Sequence, residues 1–300
     1  MKVVSNCCVT SNNPIFSSKR NFEQNIGLFN NSIATTNPVQ DSFVKIDKRQ
    51  IYTDRINHLF PNNSLIIIYN SINKELGIDK PAKINFTTSD DGVTGGGYTY
   101  SKNEINLSLE DLVSSNTKIV GIKDGKRTIL ISPSVKLPLF VNKEMASQFI
   151  EHHSRNGNLG FDQLIAEPVT DEEQRKLIIQ KIYHEVVHAQ QHMIMRKTEG
   201  IGAKEITKAW THAKPSNLIE RVMLNNRVEK LHENSFWANE ETDKKTIDKY
   251  TDLGKLAYVW LEGIRNYPAV DSDEYTKNPI ELDAYNRSYE YINKKFGGWN

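Results

Sequence analysis

Cysteine is nearly absent: Cys7 and Cys8 are the only two in 300 residues, and they adjoin each other. Neighbouring cysteines near the N-terminus cannot tie distant elements together. A disulfide framework and a cysteine-rich structural zinc site are therefore both excluded. The pair reads as ordinary thiols; a lipid anchor would need an apolar run before them, and none is present. Long apolar runs are missing throughout. The longest, Leu65 to Tyr69, is far too short to span a bilayer. No apolar stretch of signal-peptide length follows Lys2. An excess of one charge is missing too: 38 Lys+Arg face 37 Asp+Glu, for a net charge of +1. No Arg/Lys stripe interleaved with aromatics marks a nucleic-acid surface. These absences predict a soluble globular chain with neither a nucleic-acid nor a membrane partner. They place it in the cytoplasm as synthesised, with delivery by a non-classical route as the alternative.

What is present falls into three stretches. Residues 1–40 are rich in Asn, Ser and Thr without periodicity, and read as a disordered leader. Residues 41–200 form a strand-containing half. A helix is predicted with Ser64 as N-cap and Leu65, Ile68, Ile72 and Leu76 on one face, stopping at Gly77. Strands follow at Lys83–Thr87 and Asn103–Leu109, and a hairpin turns at Asp124-Gly125. Asp90-Asp91-Gly92 and the triplet Gly95-Gly96-Gly97 punctuate the path as turns; no G-K-[ST] follows to suggest a phosphate loop. A short helix at Lys143–His153 leads through a loop to Pro168. Thr170 and Glu173 form a capping-box pattern that opens a long helix to Lys197, with Leu177, Ile178, Ile182, Val186 and Ala189 as its apolar face. Residues 201–300 read as a helical half. One helix carries Leu218, Val222 and Leu231, a second runs from Ile247 to Ile264, and a last one opens at Asn278-Pro279. The fold class expected is α+β.

The long helix contains His184-Glu185-Val186-Val187-His188, an H-E-x-x-H pattern. Histidines at i and i+4 share a helix face, so both imidazoles can bind one metal ion. The glutamate beside the first can reach a water on that ion as its base. A catalytic zinc needs a third protein ligand and an open position. The extended pattern H-E-x-x-H-x-x-G-x-x-H is ruled out by Gln191 and Ile194. His192 is rotated away from His184, so a downstream carboxylate is the better candidate.

At Asn278-Pro279-Ile280-Glu281-Leu282-Asp283-Ala284-Tyr285 the chain resembles the glutamate-type zincin metallopeptidases, or gluzincins. Many of these draw their third ligand from an E-x-x-A pattern on a second helix, and Glu281 and Ala284 match it. The order of strands, H-E-x-x-H helix and helical half is also similar to theirs. The resemblance implies a zincin-like fold with Zn2+ in a cleft between the two halves, and an edge strand that binds extended peptide. It implies His184, His188 and Glu281 as ligands. Asp283 is the alternative, ahead of Glu220, Glu229, Glu233 and Glu262. Many members carry an aspartate soon after the third ligand that orients a metal histidine; here Asn286 and Arg287 follow Tyr285.

The function expected is that of a zinc metalloendopeptidase acting on a peptide or protein substrate, with Glu185 as general base. Tyr285, one turn after Glu281, is the first candidate donor to the oxyanion, ahead of His212, His232, Tyr267 and Tyr275. Gln191 would line the cleft. The alternative is a non-catalytic zinc-binding or interaction module. A housekeeping peptidase and a secreted effector or toxin fit the sequence equally well.

Overall fold

Thr170 starts the longest helix, α5 (Asp171–Lys197), as the capping box predicts. Its hydroxyl accepts from the Glu173 N–H at 3.2 Å, and the Glu173 carboxylate accepts from the Thr170 N–H at 2.8 Å. In this computed structural model the described residues are 48–88, 97–211, 218–238, 246–268, 272 and 274–299. The expected leader, both cysteines, Asp90-Asp91-Gly92, Gly95, Gly96 and His212 lie outside them.

The architecture is mixed α+β. Before α5 come α1 (Lys48–Leu59), α2 (Ser64–Glu75), α3 (Leu109–Val113) and α4 (Lys143–Asn156). A three-stranded sheet orders β1 (Lys83–Thr87), β3 (Glu104–Ser108) and β2 (Gly97–Thr99), with β1 parallel and β2 antiparallel to β3. A second, antiparallel sheet centres on β4 (Thr117–Lys123). On one side β4 pairs with β7 (Gln163–Pro168); on the other it pairs with β5 (Lys126–Ile129) and β6 (Phe140–Val141). Asp124 and Gly125 both take positive φ, 49° and 73°, as a two-residue hairpin turn needs. After α5 the described segments are helical: α6 (Ala203–Trp210), α7 (Leu218–Glu233), α8 (Asp252–Arg265) and α9 (Pro279–Phe296).

Several local expectations are corrected. Ser64 is the first residue of α2 rather than its cap; Asn63, at φ 58°, holds the cap position. Ile247 lies outside α8, which begins after the cap Thr251, and bridges Thr198 instead. Residues expected as loop before Pro168 form β7, whose polar, exposed positions hide its period.

The largest correction concerns α5. One apolar face was expected, yet between Leu177 and Arg196 only Lys181, Glu185 and Gln190 keep partial exposure. A helix buried all round is a core element, not a surface one. Its first half packs Ile178, Ile182 and Val186 with Ile72, Ile105, Leu112, Ala284 and Ile292. Its second half packs Met193 and Met195 with Trp237, Trp260, Leu261 and Ile280. Buried glutamines along it find partners, as burial demands. Gln174 Nε2 donates to the Leu112 carbonyl at 3.2 Å, and Gln180 Nε2 to that of Lys136 at 2.9 Å. The H-E-x-x-H turn sits between the two apolar clusters, with α9 packed alongside.

Candidate metal centre

Two helices build the site. On α5, the i, i+4 spacing brings His184 and His188 side by side, with Nε2 atoms 3.1 Å apart and rings nearly perpendicular at 89°. On α9, Glu281 faces them: Oε2 is 3.4 Å from His184 Nε2, and Oε1 is 3.5 Å from His188 Nε2. All three residues are buried, Glu281 to 2% exposure. Among the described residues this is the cluster whose ligand atoms could hold a metal ion.

The entry of α9 into the site follows from its sequence. Pro279 takes the first helical position, where no N–H is required. Asn278 Oδ1 accepts from the Ile280 N–H at 3.2 Å, and its Nδ2 donates to the Gly263 carbonyl of α8 at 2.9 Å. The cap thus ties α9 to α8 one residue before the ligand turn. Glu281 does not close a capping box with Asn278; its carboxylate turns to the histidines instead.

The donor chemistry fits a cation. Two ring nitrogens and a carboxylate crowd one small volume. Glu281 Oε2 is buried without a hydrogen bond, an arrangement costly to leave uncompensated. Without a metal, a proton on His188 would offset the Glu281 charge. Burial disfavours a charged His188, but the neighbouring Glu281 carboxylate outweighs it and lifts the ring to about 9. Burial would also raise Glu281, but the facing imidazoles, His188 foremost, hold it well below the usual carboxylate range.

The other residues sort clearly. Glu185 Oε1 is 4.0 Å from His184 Nε2, and its side chain keeps 13% exposure. It borders a cavity of about 170 Å³ together with His184, Lys181, Tyr275 and Tyr285. Tyr285 packs its ring on His184, with centroids 4.3 Å apart. Tyr267 donates its hydroxyl hydrogen to Glu281 Oε1, and the Tyr275 hydroxyl lies 3.4 Å from that of Tyr267. Tyr267 and Tyr275 rank below Tyr285 in the sequence, since only Tyr285 stands one turn after Glu281 and the other two read as ordinary packing or surface residues.

Asp283 points elsewhere, accepting from Gln191 Nε2 at 2.8 Å. Glu229 pairs with Lys204, Glu262 binds Arg265 and Asn266 at the surface, and Glu233 is exposed. His232 stands in the last turn of α7 outside the cluster, and the side chain of Glu220 lies outside the described residues. His192 is closed to a metal. Its Nδ1 hydrogen goes to the His188 carbonyl at 2.8 Å, and its Nε2 accepts from Trp210 at 3.0 Å. Burial pushes it down to about 3, so it stays neutral.

No helix of the described residues is long and apolar enough to cross a membrane. Compared with family models, curated proteins and solved structures, the chain finds no match.

Proposed function

We propose that the protein is a zinc-dependent metallopeptidase of the zincin-like, glutamate-ligand kind, acting on a peptide or protein substrate. The observation that carries this reading is the convergence of His184, His188 and Glu281 beside a cavity that Glu185 borders. Two imidazoles and one carboxylate are a ligand set of catalytic zinc, which keeps a position open, rather than of closed structural sites. The expected order of strands, motif helix and ligand helix supports the same reading.

When bound, zinc supplies Lewis acidity, which lowers the pKa of water toward neutrality and polarises the scissile carbonyl. Glu185 takes the proton of the attacking water and delivers it to the leaving amine. Tyr285 and Tyr275 line the cavity and donate to the developing oxyanion. Burial, reinforced by nearby acidic groups, raises both phenols above their ordinary value, so both keep their hydrogen at neutral pH. Tyr267 serves differently, since its hydrogen is committed to Glu281.

The test is Glu185→Gln assayed on a mixed peptide library. The variant should retain zinc and lose cleavage; cleavage at the wild-type rate removes Glu185 as the base. Zinc retained by a wild-type protein that cleaves nothing would favour the non-catalytic module instead.

A further inference from the structure

We propose that Gln191 and Asp283 form a relay that fixes the ring of His188 as a metal ligand, Gln191 being the positioning residue and Asp283 its anchor. The relay rests on the reading of His184, His188 and Glu281 as a zinc site.

Gln191 follows His188 by one helical turn and is fully buried. Its Oε1 lies 2.8 Å from His188 Nδ1. Its Nε2 donates to the Ile280 carbonyl at 3.0 Å and to Asp283 Oδ2 at 2.8 Å. Both of these partners can only accept: one is a carbonyl, the other a carboxylate. The amide is therefore locked in one orientation, because flipping it would set oxygen against oxygen twice. With Oε1 toward His188, Nδ1 must carry a hydrogen, so Nε2 is the nitrogen left to face His184 and Glu281 and to take a metal once its own proton is displaced. The tautomer needed for ligation thus follows from two acceptors on α9.

Asp283 is more than a passive acceptor. Arg287, one turn further along α9, approaches it at 3.5 Å. A carboxylate behind the amide polarises it, strengthens Oε1 as an acceptor and makes the ring a better donor to a metal. The same turn of α9 carries Ile280, Glu281 and Asp283, so sliding α9 against α5 disturbs the third ligand and the relay together. His184 has no such support: its Nδ1 is buried without a hydrogen bond among the described residues.

The experiment measures zinc affinity of the full chain by competition with a chromophoric chelator, alongside thermal unfolding of the metal-free protein. Gln191→Ala should weaken zinc by about 10- to 100-fold, the range for lost outer-shell partners, and Asp283→Ala by less. Gln191→Glu alone should also weaken it, since two carboxylates then face each other with no donor between them. Combining Gln191→Glu with Asp283→Asn restores a donor between residues 191 and 283, while the Ile280 carbonyl is left facing a carboxylate oxygen. This double variant should recover part of the affinity lost by Gln191→Glu. A purely structural role predicts lower metal-free stability with zinc affinity unchanged. Zinc bound equally well by wild type and Gln191→Ala, or a double variant no better than Gln191→Glu, overturns the relay. A wild-type chain that binds no zinc overturns the metal site beneath it.

Discussion

Gly263 of α8 and Asn278 at the head of α9 are in closer contact than any other side chain at Gly263 would allow: a Cβ there would come within 2.8 Å of Asn278 Oδ1. That oxygen caps Ile280, and Glu281 is the next residue. Gly263→Ala should therefore weaken zinc binding, although residue 263 is not among the ligands. Helix propensity alone predicts the opposite sign for stability, a gain of up to about 1 kcal/mol. A chelator competition and a melting curve separate the two. Stabilisation with unchanged zinc affinity would show that Glu281 is placed by other contacts.

The proton shared in the metal-free cluster predicts a pH dependence. Zinc must displace it from His188, which Glu281 holds at about 9 against the effect of burial. Apparent zinc affinity should rise about tenfold per pH unit from neutrality and flatten above pH 9. Without metal the sign reverses. A raised folded-state pKa contributes stability that is fully present below the ordinary value of 6.5 and is lost as pH climbs through 9. Melting curves in chelator across this range check it; stability that is flat or rising there contradicts the assignment.

The three tyrosines should separate by kinetics. Tyr267→Phe removes the donor to Glu281 and should weaken zinc affinity, by roughly tenfold or more. Tyr285→Phe and Tyr275→Phe should leave affinity intact and lower kcat, with a single oxyanion donor worth up to about 100- to 1,000-fold. Equal effects of all three on zinc binding would reject the division of roles.

Ile182, fully buried on α5 two residues before His184, measures how far the site depends on the core. Ile182→Ala should cost about 2–5 kcal/mol in denaturant unfolding. Lys181→Ala, at the partly exposed neighbouring position, should cost much less. Similar costs would mean that the packing around Ile182 collapses to fill the gap.

Much of the local structure was legible because it rests on short-range chemistry. The Thr170–Glu173 capping box, the Asp124-Gly125 turn and the Asn278-Pro279 helix start each depend on residues within four of one another. The histidine pair was legible for the same reason. Gln191 was recognised only as a residue of the cleft, since its bonds to His188, Ile280 and Asp283 require knowing which turn of α9 lies against α5. Asp283 was weighed as a ligand because sequence spacing cannot tell a carboxylate that faces the metal position from one that faces a glutamine behind it. The burial of α5 on all sides was hidden by its own polar residues. Gln180 and His192 give no local sign of burial, because their partners, the Lys136 carbonyl and the Trp210 indole, come from other segments.

The enclosure of α5 has a kinetic consequence. With His184, His188 and Glu281 all below a tenth exposed, the cavity beside Glu185 is the side on which an ion is least covered. An ion held there would exchange only as fast as this region opens, however strong the competing chelator outside. Metal loss should then proceed at a rate independent of chelator concentration once chelator is in excess. That rate would report the breathing of α5 against α9, so the ion becomes a clock for a motion that no equilibrium titration records.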